Sequence, residues 1–345
     1  MKLDLFERAI SIKRDAGTPS EMRFVAYLAE RFEPTMIDEA GNLHFDRRGS
    51  NCSTLFVAHT DTIVHHKGSV NEWEKDPEGY YLAKGDTLGA DDAAGICILG
   101  HLMDMEVPGY YIFFRGEEKG GTGSRYLAKE HEELCLEFDR AIAFDRRGYS
   151  DVITHQAGGR CASEAFAEAL SDELNSEGLL YMPCDGGIFT DTANLMDLIP
   201  ECTNVSVGYD MEHSDKEQQN GDYLMELGAA LARVDWENLP TERDPAAFEE
   251  DTKGWRLSKV DDKDDTVPAA RTLEEETIAE AWEAALDRQP GPLMTLVAKH
   301  LKTDRNRLDE EVFIPSEVYA VAIGAADWAA VVDELATLCV LSMPH

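Results

Sequence analysis

Along the first two thirds of the chain, short uninterrupted apolar runs alternate with stretches of helical spacing. Leu3, Phe6 and Ile10 recur as one face of a helix, and so do Phe24, Val25, Leu28 and Phe32. Thr18-Pro19-Ser20-Glu21 reads as a helix start, with proline in the first turn beside polar capping residues. Met36-Ile37-Asp38 and Leu43-His44-Phe45, joined across Ala40-Gly41-Asn42, predict a hairpin. Leu55–Ala58, Tyr110–Phe114, Ala141–Phe144 and Val205–Val207 predict strands, whereas Ala93–Met103, Gly123–His131, Ser163–Leu174 and Tyr223–Val234 predict helices. Strands this continuously apolar are buried on both faces, as when helices cover a sheet, so the expected class is α/β.

The pattern breaks near Asn238. Residues 240–270 hold Pro240, Pro245, Glu249-Glu250-Asp251 and the run Asp261-Asp262-Lys263-Asp264-Asp265, the composition of a solvated linker or irregular lobe. Helical spacing returns at Leu273–Leu286, with Thr272 and Glu275 in capping-box spacing, and again at Asp327–Val340. The expected organisation is a catalytic unit over 1–238, an acidic linker or lobe over 239–270, and a small, mostly helical region over 271–345 without recognisable chemistry.

Composition narrows the picture. The net charge of −36, from 68 acidic and 32 basic residues, is spread along the chain. Such a field repels nucleic acid and anionic membranes. No stretch approaches the roughly 18 apolar residues of a membrane span. The opening Met-Lys-Leu-Asp-Leu-Phe-Glu-Arg lacks the apolar run of a signal peptide. The seven cysteines are scattered and never spaced C-x-x-C, as expected of free thiols in a cytoplasmic protein.

The candidate chemistry lies at the ends of the predicted strands. Leu55–Ala58 runs into His59-Thr60-Asp61, and a loop ends in Gly89-Ala90-Asp91-Asp92 ahead of a helix. Tyr110–Phe114 runs into Arg115-Gly116-Glu117-Glu118, Ala141–Phe144 into Asp145, and Val205–Val207 leads to Glu212-His213. In open α/β sheets ligands bind outside the carboxyl ends of strands, so these groups should converge on one edge. Histidine and carboxylate are suitable zinc ligands. Other acidic doublets, such as 132–133, 249–250 and 261–262, fall in helices or the linker and read as solvated faces.

The ordered set Ala58-His-Thr-Asp-Thr62, Gly89-Ala-Asp-Asp-Ala-Ala-Gly95, Gly116-Glu-Glu-Lys-Gly120, Phe144-Asp145 and Glu212-His213-Ser214 resembles the co-catalytic di-zinc exopeptidases. That superfamily comprises zinc aminopeptidases, aminotripeptidases and carboxypeptidase-like amidohydrolases, and the resemblance covers roughly residues 1–238. It implies a mixed, mostly parallel central sheet flanked by helices. It also implies two zinc ions held by His59, Asp91, Glu118, Asp145 and His213, with cobalt or manganese as substitutes. Asp91 would bridge the ions with its carboxylate, and the peptide bond to the following Asp92 would be cis. Asp61 would steady the His59 imidazole, and Glu117 would be the general base. Tyr209 is a candidate oxyanion donor or a buried structural tyrosine, and Asp191 a pocket-lining residue or a loop cap. The stretch between Asp145 and His213 is too short for the inserted dimerisation or lid domain of larger members, so the compact aminopeptidase branch is the nearer match. The lysine that often follows the Asp pair in aminotripeptidases is replaced here by Ala93-Ala94.

An aminopeptidase acting on peptides is therefore the leading expectation. The alternative is an amidohydrolase of N-acyl amino acids or a carboxypeptidase, which needs a cationic clamp; Arg115, Arg146, Arg147 and Arg160 are candidates. A catalytically silent scaffold is a third reading, opposed by the intact ligands and base. The C-terminal region is a candidate site for homo-oligomerisation or a protein partner.

Overall fold

The structure, a computed structural model, describes residues 1–49 and 52–247. In chain order these form α1 (Asp4–Ile10), α2 (Pro19–Phe32), β1 (Met36–Ile37), β2 (Leu43–Asp46), β3 (Thr54–His59), β4 (Trp73–Lys75), β5 (Tyr80–Ala83), α3 (Ala90–Asp104) and β6 (Tyr110–Phe114). There follow α4 (Thr122–Glu130), α5 (Glu132–Cys135), β7 (Arg140–Arg146), β8 (Asp151–Ile153), β9 (His155–Gln156), β10 (Gly159–Arg160), α6 (Glu164–Ser176) and β11 (Met182–Cys184). The last are β12 (Glu201–Ser206), β13 (Tyr209–Asp210), β14 (Gln218–Asn220) and α7 (Gly221–Leu231). The helices expected at 273–286 and 327–340, and most of the expected linker, lie outside the described residues.

The central sheet has eight strands in the order β1-β2-β6-β3-β7-β12-β8-β11. The four inner strands β6, β3, β7 and β12 are mutually parallel, and the β1–β2 hairpin adds an antiparallel edge. This is the mixed, mostly parallel α/β sheet that was expected. Alternation along the inner strands explains their unbroken apolar runs. Phe56, Tyr111, Phe113, Ile142 and Phe144 enter one buried cluster, and Leu55, Val57, Ile112, Phe114, Ala141 and Ala143 enter another. Successive side chains point to opposite faces, so a strand covered on both sides must be apolar at every position.

Helix α3 lies against β3, β7, α1 and α7, with nearly every side chain buried. Helix starts fall where capping chemistry puts them. Thr18 accepts from the Glu21 amide with Pro19 at the first turn, Ser163 from the Phe166 amide, and Asn220 from the Tyr223 amide. Between Asp145 and His213 the chain adds β8, β11 and β12 to the central sheet, so no separate inserted domain stands there. A second, four-stranded sheet, β13-β14-β5-β4, was not foreseen. No helix among the described residues is long and apolar enough to cross a membrane.

Candidate active site

Because β6, β3, β7 and β12 run in parallel, their carboxyl ends open on one edge. His59 is the last residue of β3, Asp145 the penultimate residue of β7, and Glu117 and Glu118 follow β6 by one short turn. Asp91 enters from the start of α3, and His213 from the segment between β13 and β14. All five expected ligands meet there.

Asp91 stands between two groups. Its Oδ1 lies 3.0 Å from His59 Nε2, which is 3.5 Å from Asp145 Oδ1. Its Oδ2 lies 3.2 Å from His213 Nε2, which is 2.9 Å from Glu118 Oε1. The donor atoms of His59–Asp91–Asp145, and those of Asp91–Glu118–His213, lie within 4.8 Å of one another. Ligands at zinc's usual ~2.0–2.1 Å in a tetrahedron are ~3.3 Å apart, so these spacings suit a cation in each group. Glu118 Oε1 is buried and has no hydrogen-bond partner despite its approach to His213, which leaves it a lone pair for such an ion.

The electrostatics agree. Burial, then the neighbouring carboxylates Asp145, Asp191 and Asp91, push Glu117 up to about 10 against the pull of His59. Burial and Asp91 push Asp145 up to about 6. Burial opposes charge on His59, yet Asp145, Asp61 and Asp91 outweigh it and raise its pKa. The edge gathers more buried carboxyl groups than its two histidines can neutralise, the setting in which carboxylates and histidines hold divalent cations.

The supporting residues fix this arrangement through backbone. Asp61 steadies His59 through its carbonyl oxygen, 3.1 Å from Nδ1, while its carboxylate stands 3.5 Å away. That carboxylate instead accepts from the amides of Gly116, Glu117 and Glu118 at 2.9, 3.2 and 3.2 Å, so Asp61 holds the Glu117–Glu118 turn as well. The Asp91–Asp92 peptide bond is cis. Asp92 turns away from the cleft and accepts from the amides of His59 (3.1 Å) and Gly95 (2.8 Å). A Cβ at Gly95 would stand 2.5–2.7 Å from the Asp92 carboxylate and the Phe144 carbonyl oxygen, so only glycine fits.

A cleft of about 410 Å³ opens on the two groups and is lined by Glu117, Tyr209, Arg146, Arg147, Glu212 and the apolar Ile153, Ile188 and Phe189, among others. Two further candidates, each read two ways in the sequence, take these places. Tyr209 lines the cleft, and its hydroxyl donates to Asp145 Oδ1 at 3.0 Å. Asp191 is buried and outside the cleft lining, where it accepts from Ser124 Oγ at 2.6 Å. Of the candidate clamp residues, Arg115 is bound to Glu21 at 2.6 and 2.8 Å, and Arg160 does not line the cleft. Arg146 and Arg147 do line it, each paired at 3.1 Å, with Asp151 and Glu212.

Three contributors went unread in the sequence. Thr190 Oγ1 donates to Asp145 Oδ2 at 2.7 Å. Arg14 and Glu217 are buried behind the Asp91 turn. The only sequence signal for Glu217 is its place four residues after His213. Beside these, His65 stands outside the cleft lining with its Nε2 3.0 Å from the His213 carbonyl oxygen.

No model of a known protein family matches the sequence, and no curated protein does. Solved structures are similar in fold. Aminopeptidase PepT from Bacillus cereus matches with a TM-score of 0.57 at 15% identity, over 68% of this chain and 97% of that chain. A tripeptidase from Staphylococcus aureus matches with 0.55 at 15%, over 67% and 95%. The TET1 peptidase of Pyrococcus horikoshii, described as assembling into a tetrahedron or a large octahedral shell, matches with 0.53 at 16%, over 67% and 98%. This chain shares the fold of these peptidases. Within that fold, its parallel strand ends carry the five ligand candidates and Glu117.

Proposed function

We propose that the protein is a two-zinc exopeptidase, an aminopeptidase that releases residues from the free amino end of peptides. The observation that carries the reading is Asp91, whose two oxygens each face a different histidine and so join two cation sites through one side chain. His59, Asp91 and Asp145 would hold one ion, and Asp91, Glu118 and His213 the other; cobalt or manganese suits the same donors. When bound, the ions polarise the scissile carbonyl and lower the pKa of water.

Glu117 lines the cleft beside both groups and lies within reach of His59 and Glu118, but it is absent from the two triads that share Asp91. With the positive charge of bound cations favouring its ionised form, it takes the proton of the attacking water and delivers it to the leaving amine. The preference for a free amine over a free carboxylate is supported by the arginines of the cleft: both are already paired, Arg146 with Asp151 and Arg147 with Glu212, so neither is an open clamp for a carboxylate. Arg146 and Arg147 nonetheless support a second reading, hydrolysis of an N-acyl amino acid or a carboxy-terminal bond, if substrate displaces Asp151 or Glu212. The free state of the six described cysteines supports a reducing, cytoplasmic setting. The neighbours' assemblies support homo-oligomerisation, which gel filtration tests.

The deciding experiment measures metal per chain after gel filtration for wild type and His213→Ala. A panel of free-amine peptides and N-acyl amino acids is then assayed on the zinc-loaded protein. Two ions in wild type, fewer in the variant, and turnover of the free-amine peptides are expected. No bound metal after zinc is supplied would sink the reading and favour a silent scaffold. Turnover of N-acyl amino acids alone would select the amidohydrolase.

A further inference from the structure

Glu217 is 1% exposed, yet it carries a carboxylate that touches neither cleft nor solvent. Its Oε2 accepts from the Gly89 amide at 2.9 Å and its Oε1 from the Asp91 amide at 3.0 Å. On the other side of the same turn lies the guanidinium of Arg14, fully buried. Its Nη2 donates to the Gly89 carbonyl oxygen at 2.7 Å and its Nη1 to the Thr60 carbonyl oxygen at 2.9 Å. Gly89 is thus gripped by its N–H and its C=O at once, by opposite charges. Its φ of +75° is one that a residue with a Cβ rarely adopts.

The two side chains come from distant parts of the chain. Arg14 joins the His59-Thr60-Asp61 segment to the Asp91 turn. Glu217 sits where the His213 segment enters β14, and its own carbonyl is anchored by the Ala83 amide at 3.0 Å. Together they tie three of the five ligand-bearing segments. We infer that Arg14 and Glu217 are positioning residues that brace Gly89 from both sides and thereby set Asp91 for both cations. The inference rests on the two-metal reading above.

The brace has a signature that general structural support lacks. Asp91 presents one oxygen to each histidine, so displacing it must weaken both cation sites together. Glu217→Gln keeps the side chain's shape but turns an amide NH₂ toward one backbone N–H, and Arg14→Lys keeps the charge but gives up the fork that spans two carbonyls. The experiment loads the full-length protein with Co²⁺, follows the visible absorption, and measures both affinities by chelator competition. Melting temperature without metal establishes that each variant is folded. The expected result is a fall of about 10–100-fold in both affinities and an altered cobalt spectrum in each folded variant. Wild-type affinities and spectrum in a folded Glu217→Gln protein would overturn the inference, as would loss at one site alone. Should Glu217→Gln fail to fold, Arg14→Lys supplies the same readout under the same criteria. Failure of wild type to bind cobalt would instead remove the two-metal reading itself.

Discussion

Gly95→Ala pits two effects of opposite sign against each other. Gly95 lies inside α3, where alanine ordinarily gains about 0.5–1 kcal/mol over glycine. Here the new Cβ would stand 2.5 and 2.6 Å from the Asp92 carboxylate oxygens and 2.7 Å from the Phe144 carbonyl oxygen. Reaching ordinary contact at 3.4 Å requires the carboxylate to retreat by roughly 0.8 Å. That motion breaks or stretches its bonds to the Gly95 and His59 amides, each worth about 0.5–1.5 kcal/mol. The Phe144 oxygen belongs to a central strand and gives way only at an overpacking cost of about 1–3 kcal/mol. The clash wins, with a net destabilisation of about 1–5 kcal/mol. At about 2–4 °C per kcal/mol this lowers the melting temperature by about 2–20 °C. Thermal unfolding of both proteins in chelator, so that cation binding contributes nothing, measures it. A variant melting within 2 °C of wild type, or above it, would refute the packing described for α3 and the Asp92 turn.

Other consequences can be tested alongside. Glu117→Gln should lower kcat by about 10²–10⁴ while leaving two ions per chain, if the proposed base is no ligand; it lies outside both Asp91 triads but within reach of His59 and Glu118, and loss of metal would reassign it as a ligand. Tyr209→Phe removes the donor to Asp145 Oδ1 and should weaken metal affinity by about 10–100-fold with folding intact, as isothermal titration will report. With a net charge of −36, the protein should melt at a higher temperature in 1 M KCl than in 50 mM, since the screening length falls from above 10 Å to about 3 Å. A melting temperature that is flat or falls with salt would show that the charges are already compensated.

The strands that carry chemistry were legible because burial on both faces leaves an unbroken apolar run, and Tyr110–Phe114 was read to the residue. Strand β12 was read late, at Val205, although it begins at Glu201. Its first residues are polar yet buried, and Glu201 accepts from Ser163, Glu242 and Arg243. Strand β14 of the second sheet was missed for the same reason, since Gln218-Gln219-Asn220 has no apolar face. Ligand candidates could be read from their order at strand ends. Arg14 and Glu217 could not, because their meaning lies in contacts with Gly89 from 75 and 128 residues away. Asp61 was read for the His59 imidazole, and its carboxylate accepts from the amides of the Glu117–Glu118 turn.

The site is built in two layers of different origin. His59 and Asp145 belong to neighbouring strands of the sheet itself, whereas Ile188, Phe189, Arg147 and Glu212 at the rim sit on connecting segments. Strand spacing fixes the inner layer, and a change there disturbs the whole sheet. The rim carries no such burden. Exchanging Ile188, Phe189, Arg147 or Glu212 therefore reshapes what the cleft admits while leaving the strand ends that hold His59 and Asp145 in place.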